Sequence, residues 1–100
     1  MTQTALIESI IQQAIPDAWV IVHNINNDGS HFEAVVISAT FNGLSVLKQH
    51  QRVMRPLQEA FETAVHALAL KTFSRDSWNE TQHNYSGIAQ KIKEKYSDII

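Results

Sequence analysis

The sequence predicts an α+β domain in the order αββααβα, built on a three-stranded mixed sheet and followed by a C-terminal helical extension. Three observations carry this. Ile7, Ile10, Ile11 and Ala14 recur at i, i+3, i+4 and i+7, the apolar stripe of an amphipathic helix. Two β-rich stretches, Trp19 to Val22 and Phe32 to Ser38, flank the turn cluster Asn26-Asn27-Asp28-Gly29-Ser30. A helical period then returns at Ser45 and gives way to alternation between Ala67 and Phe73.

Pro16-Asp17 ends the first helix, because the residue before a proline avoids the helical region and proline donates no hydrogen bond. Asp28-Gly29 can reach positive φ, so the two strands form an antiparallel hairpin. Val35-Val36-Ile37 is too continuous for a half-exposed edge, which makes the second strand an interior one. Asn42-Gly43 supplies the next turn. Beyond it Val46, His50, Val53, Leu57, Ala60 and Ala64 align, flanked by Leu47, Met54 and Phe61.

Pro56 interrupts that run. Its ring would clash with the carbonyl of Arg52, so the pattern predicts a short helix or 3₁₀ turn, then a longer helix starting near Pro56. The third strand is expected at Ala67 to Phe73, with Ser74 capping a short helix that holds Asp76 and Trp78. In the tail, Tyr85, Ile88, Ala89, Ile92 and Tyr96 mark another amphipathic helix, with Lys91, Lys93 and Lys95 beside it.

A strand, a helical crossover and a further strand form a right-handed unit, so strands two and three should run parallel. If they are neighbours, both start at the same edge of the sheet. His31 opens one and His66 the other, which brings two histidines distant in sequence near each other.

Composition narrows the function. One hundred residues, 44% of them hydrophobic, suit one modest core. A formal net charge of -2 and a pI of about 6.2 do not mark a protein built around nonspecific phosphate binding. Without cysteine there is neither a disulfide nor thiolate chemistry, so any soft metal centre must draw its sulfur from elsewhere. No stretch approaches the roughly 20 apolar residues of a membrane span. Met1-Thr2-Gln3-Thr4 lacks the basic-then-apolar plan of a secretory signal, which points to the cytoplasm or an equivalent reducing compartment. No nucleophile or acid/base pair is legible, so a catalytic role is not expected.

Gly29-Ser30-His31-Phe32, Phe41-Asn42-Gly43, His50 within Leu47-Lys48-Gln49-His50-Gln51-Arg52-Val53, Val65-His66-Ala67-Leu68-Ala69-Leu70-Lys71-Thr72 and Trp78 occur in an order that resembles the BolA family. The resemblance implies a BolA-like, class II KH-like domain over residues 1–80, with 81–100 as a helical C-terminal extension. It also implies an adaptor that pairs with a monothiol (CGFS-type) glutaredoxin and shares a [2Fe–2S] cluster with it, in cluster trafficking or iron regulation.

In that family the histidine opening the last strand, here His66, is a cluster ligand. A second ligand comes from the loop between the first two strands, here His31, with His23 as the alternate. The partner's cysteine and a glutathione thiol complete the shell, and the isolated chain holds no cluster. Imidazole ligation raises the potential relative to all-thiolate ligation, and a protonatable ligand suits a cluster that is handed on.

The remaining features carry plainer readings. The sequence has no His-x-x-x-His on a helix and no Cys-x-x-Cys, so a self-contained zinc site has little support. His50 matches the family's Arg-His-Arg segment, but Gln49 and Gln51 replace the arginines, and its place on the apolar stripe suggests a partly buried, hydrogen-bonded core residue. Lys48, Arg52 and Arg55 fall at i, i+4 and i+7, a basic stripe if the helix continues across Arg55, which Lys91, Lys93 and Lys95 could extend.

This stripe is the basis of the alternative function, a nucleic-acid-binding transcriptional regulator. Against it stand the mildly acidic charge and the missing Gly-x-x-Gly loop of working KH domains. A solvated helix face is the simpler account, and docking of an acidic glutaredoxin face another. Trp78 is expected to pack on the sheet and Trp19 to be core or rim. The tail is left open between packing as an extra helix, homodimer formation and mobility.

Overall fold

The structure, a computed structural model, describes residues 3–24, 31–61 and 68–96. Along the chain lie α1 (Gln3–Ala14), β1 (Trp19–Asn24), β2 (Phe32–Ile37), a 3₁₀ turn (Ala39–Phe41), α2 (Val46–Phe61), β3 (Leu68–Phe73), α3 (Arg75–Thr81), a second 3₁₀ turn (Gln82–Tyr85) and α4 (Ser86–Lys95). No helix among the described residues is long and apolar enough to cross a membrane.

The three strands form one sheet in the order β1-β2-β3. β1 and β2 are antiparallel, with Trp19 opposite Ile37 and His23 opposite Glu33. β2 and β3 are parallel, with Phe32 opposite Leu68. The hairpin, the parallel crossover and the interior position of β2 thus follow the sequence pattern. The turn at 26–30 lies outside the described residues.

Alternating side chains give the sheet two faces, and both are covered. Val20, Val22, Phe32, Ala34 and Val36 pack with Ile7 and Ile11 of α1, Val53 and Leu57 of α2, and Phe41. On the other face Ile21, Val35 and Ile37 meet Trp78, Ile92 and Tyr96, with Trp19, Phe73, Tyr85, Ile88 and Ala89 packed around them. Each large apolar side chain so buried contributes about 1.5–3 kcal/mol. The tail therefore packs: α4 and Tyr96 close the second face, and the apolar spacing read from the sequence supplies the contacts.

One element departs from expectation. The helical stretch predicted in two pieces around Pro56 is a single helix with the proline inside it. Val53 and Leu57, on either side of Pro56, are both 0% exposed, and their burial holds the helix together across the lost Arg52 carbonyl bond. The register of burial also differs. Val46 and Leu47 occupy the first turn, where no core residue packs on them, and are 62% and 68% exposed.

The buried polar residue of α2 is Gln49 rather than His50. Its amide donates to the Leu44 carbonyl at 2.9 Å and accepts from the Thr72 hydroxyl at 2.7 Å. His50 is half-buried, and its side chain makes no hydrogen bond among the described residues. Gly43, at φ +78, takes the left-handed turn position that Asn42-Gly43 predicted.

Polar groups fix both ends of the edge strand β1. Near its start, the Asp17 carboxylate accepts from the Ser38 hydroxyl at 2.8 Å and from the Ala39 amide at 2.9 Å. Arg75 donates to the Asp17 carbonyl at 2.6 Å while its guanidinium stacks 3.7 Å from the Trp19 ring centre. Along the open side of β1, Tyr96 and Lys95 both reach Val20, and the Glu8 carboxylate accepts from the Val22 amide. Side chains of α1 and the tail thereby cap the Val20 amide and carbonyl and the Val22 amide on this edge of the sheet.

Candidate functional site

The parallel register sets the geometry of the histidine end. Phe32 and Leu68 are the first residues of β2 and β3 and sit opposite each other, so the two strands start at one end of the sheet. His31 immediately precedes Phe32 and is exposed there. His66 precedes Leu68 by two positions in the sequence and lies outside the described residues.

His23, the alternate ligand, is placed differently. It sits on β1, with β2 between it and β3, and its Nε2 lies 3.1 Å from Oε1 of Glu33 directly across the ladder. The other Glu33 oxygen is 3.7 Å from Lys71 Nζ, which in turn lies 5.0 Å from the Tyr85 ring centre. His23 thus belongs to a cross-strand polar ladder in which the Glu33 carboxylate lies between the imidazole and the Lys71 ammonium. Sequence reasoning missed Glu33 as its partner, and Lys71 as the second partner of Glu33. The signal that could have found them is the hairpin register, which depends on the length of the turn between β1 and β2.

Among the described residues no three His, Cys, Asp or Glu side chains form a group able to hold a metal ion. With no cysteine in the chain, its own donors toward an iron–sulfur cluster are imidazoles. That donor set fits part of a cluster's ligand shell, the remainder and all the thiolate sulfur coming from outside.

The basic stripe lies elsewhere. Because α2 runs unbroken, Lys48, Arg52 and Arg55 share one face of it, and together with Leu44 and Gln51 they line a concavity of about 360 Å³. Arg52 also borders a second hollow of about 320 Å³ against Ile15, Pro16 and Thr40. No described carboxylate pairs with any of the three, whereas Lys71, Arg75 and Lys95 are paired with Glu33, Asp17 and Glu8.

α2 follows the finishing end of β2 and leads back toward the start of β3, so its first half lies away from the histidine end. Sixteen residues of helix span about 24 Å. Lys91, Lys93 and Lys95 cannot extend the stripe. α4 packs on the opposite sheet face from α2, and Lys95 is held by Glu8 and the Val20 carbonyl.

Residues 12–77 match the family model described as BolA-like protein. The chain belongs to the BolA family. It is 35% identical over 71 residues to the DNA-binding transcriptional regulator BolA of Haemophilus influenzae, covering 68% of this chain and 69% of that one. A BolA homologue from Coxiella burnetii superimposes with a TM-score of 0.65 at 35% identity, over 79% of this chain and 99% of that one. Mouse BolA1 superimposes with a TM-score of 0.64 at 29% identity, over 79% and 70% of the two chains.

His23, His31, His66 and the three basic residues all fall inside the BolA match. The match ends one residue before Trp78, so α4 and its contacts with β1 come after it.

Proposed function

We propose that this BolA-family protein is an adaptor that docks a monothiol glutaredoxin and shares a [2Fe–2S] cluster with it. His66 and His31 are this chain's ligands, and the partner's cysteine and a glutathione thiol complete the shell. The observation that supports this reading is the parallel pairing of Phe32 with Leu68, which starts both histidine-preceded strands at one end of the sheet. His31 is exposed at that end, while His23 is held by Glu33 on the far side of β2. The cluster, when shared, supplies a one-electron redox centre, and imidazole ligation makes its release sensitive to protonation. No step of this role requires the chain to catalyse a reaction.

The test is visible absorption and circular dichroism of the protein mixed with a cluster-loaded monothiol glutaredoxin, beside His66→Ala and His31→Ala. A cluster spectrum that changes on mixing, and reverts in either variant, is the expected result. An unchanged spectrum in the wild-type mixture overturns the reading.

A second reading rests on a separate surface. Lys48, Arg52 and Arg55 lack carboxylate partners among the described residues, and the Haemophilus relative is named a DNA-binding transcriptional regulator. On this reading α2 lays three cations along the phosphate backbone. The histidine end and the stripe are then two sites rather than one.

A further inference from the structure

α2 borders two hollows that share one side chain. Lys48, Arg52 and Arg55 line the first, of about 360 Å³, with Leu44 and Gln51. Arg52 also lines the second, of about 320 Å³, with Ala14, Ile15, Pro16, Asp17 and Thr40. Each falls at the lower end of the roughly 300–1,000 Å³ that small-molecule sites occupy.

The first hollow is chemically one-sided. Its three charges are all positive, and none has a carboxylate partner among the described residues. In a chain of net charge -2, cations gathered in this way repel one another until a counter-charge arrives. Lys48 and Arg55 are separated by about 10 Å of helix rise, with Arg52 between them. A single phosphate meets one or two such groups, whereas a chain of two or three phosphates meets all three.

The second hollow pairs an apolar wall, Ala14, Ile15 and Pro16, with the Asp17 carboxylate. A carboxylate offers about four acceptor positions and no donor. Oδ1 accepts from the Ser38 hydroxyl at 2.8 Å, and Oδ2 from the same hydroxyl at 3.0 Å and from the Ala39 amide at 2.9 Å. One position is left, on Oδ1, and whatever fills it must bring an N–H or O–H. The same contacts fix the carboxylate before a ligand arrives.

We infer that the two hollows together bind a nucleoside polyphosphate whose base carries an exocyclic amino group. The phosphates lie on Lys48, Arg52 and Arg55, the base lies against Ile15 and Pro16, and its amino group donates to Asp17 Oδ1. Arg52, lining both hollows, serves both parts: a guanidinium edge donates to phosphate and its flat face stacks on a base. The site uses no histidine and is independent of the cluster-sharing reading. It competes with the duplex reading for the same three cations.

Isothermal titration calorimetry of the full chain with CTP, UTP and inorganic triphosphate, without divalent metal, tests this. CTP and UTP carry the same phosphates on rings of the same size, and differ where cytosine has an N4 amino donor and uracil an O4 acceptor. The expected result is CTP bound about tenfold tighter than UTP or inorganic triphosphate, and all three weakened about tenfold by Arg52→Gln. Asp17→Asn supplies a donor as well as an acceptor and should erase the preference for CTP. Should that variant fail to fold, the wild-type ratio of CTP to UTP decides. Equal binding of the three overturns the inference, because the cations then hold phosphate without a base site. Absence of nucleotide binding overturns it too, and duplex DNA bound by the same sample would then leave the cations to the duplex reading.

Discussion

The hydroxyl of Tyr96 accepts a hydrogen bond from the backbone amide of Val20 at 2.9 Å, across 76 positions of sequence, and donates to Gln12 at 2.8 Å. One phenol thereby joins the C-terminal segment, the edge strand and the first helix. The contact is buried, with Tyr96 only 8% exposed. It satisfies an amide on the outer edge of β1 that would otherwise be paired only by water.

Tyr96→Phe keeps the ring in the second core and removes only the oxygen. The Val20 amide and the Gln12 side chain both lose a partner, at a cost of about 1–3 kcal/mol. For a chain of this size each kcal/mol lowers Tm by roughly 4–8 °C. Thermal denaturation of the variant should show that loss, and an unchanged Tm would mean that water replaces the phenol without penalty.

Pro56 gives a prediction of the opposite sign. Its ring sits inside α2, where the Arg52 carbonyl has no backbone donor to meet it. Pro56→Ala restores that donor and relieves the ring clash, so the fold should gain about 1–3 kcal/mol. Chemical denaturation measures this through a raised midpoint at constant slope. A destabilised variant would show that the half-buried ring packs better than the helix bond it displaces.

The break expected at Pro56 marks where local rules stop. Proline chemistry is local, whereas the burial of Val53 and Leu57 that carries the helix past it depends on where the sheet lies. The same holds for Gln49 and His50. Periodicity put His50 on the apolar stripe, but the choice of buried polar residue was made by Thr72, 23 positions away, whose hydroxyl Gln49 accepts. What was legible was set by near neighbours: the Ser74 cap, whose side chain accepts from the Ser77 amide, and the left-handed turn at Gly43.

At the site, the shared starting end of β2 and β3 followed from the strand assignments and the crossover rule once the two strands are neighbours, as they are. The His23–Glu33–Lys71 ladder did not, because cross-strand partners follow from register, and register depends on the turn length.

Gln49→Leu tests the buried polar bridge directly. The substitution keeps approximate volume but strands the Thr72 hydroxyl and the Leu44 carbonyl, at about 1–3 kcal/mol. The double substitution with Thr72→Val removes one stranded group and should recover part of that loss, as a double-mutant cycle would show. Full additivity of the two changes would mean that the 2.7 Å contact carries no coupling.

The stripe on α2 separates the two functional readings. Replacing Lys48, Arg52 and Arg55 with serine removes three exposed cations that have no carboxylate partner among the described residues, so the fold should change by no more than about 0.5 kcal/mol per site. If the stripe contacts duplex DNA, each lost phosphate contact reduces the steepness of log K against log salt by about 0.9, or roughly 2.7 for all three. The histidine end should be indifferent, because Lys48 and Arg52 lie in the first half of α2, away from the start of β2 and β3, and Arg55 lies just past its middle. Binding isotherms on duplex DNA at several salt concentrations, run beside the cluster spectrum with glutaredoxin, therefore resolve the surfaces. A triple variant that loses the cluster spectrum while keeping its salt slope would reverse the assignment, making the stripe the glutaredoxin dock and leaving the DNA reading without a surface.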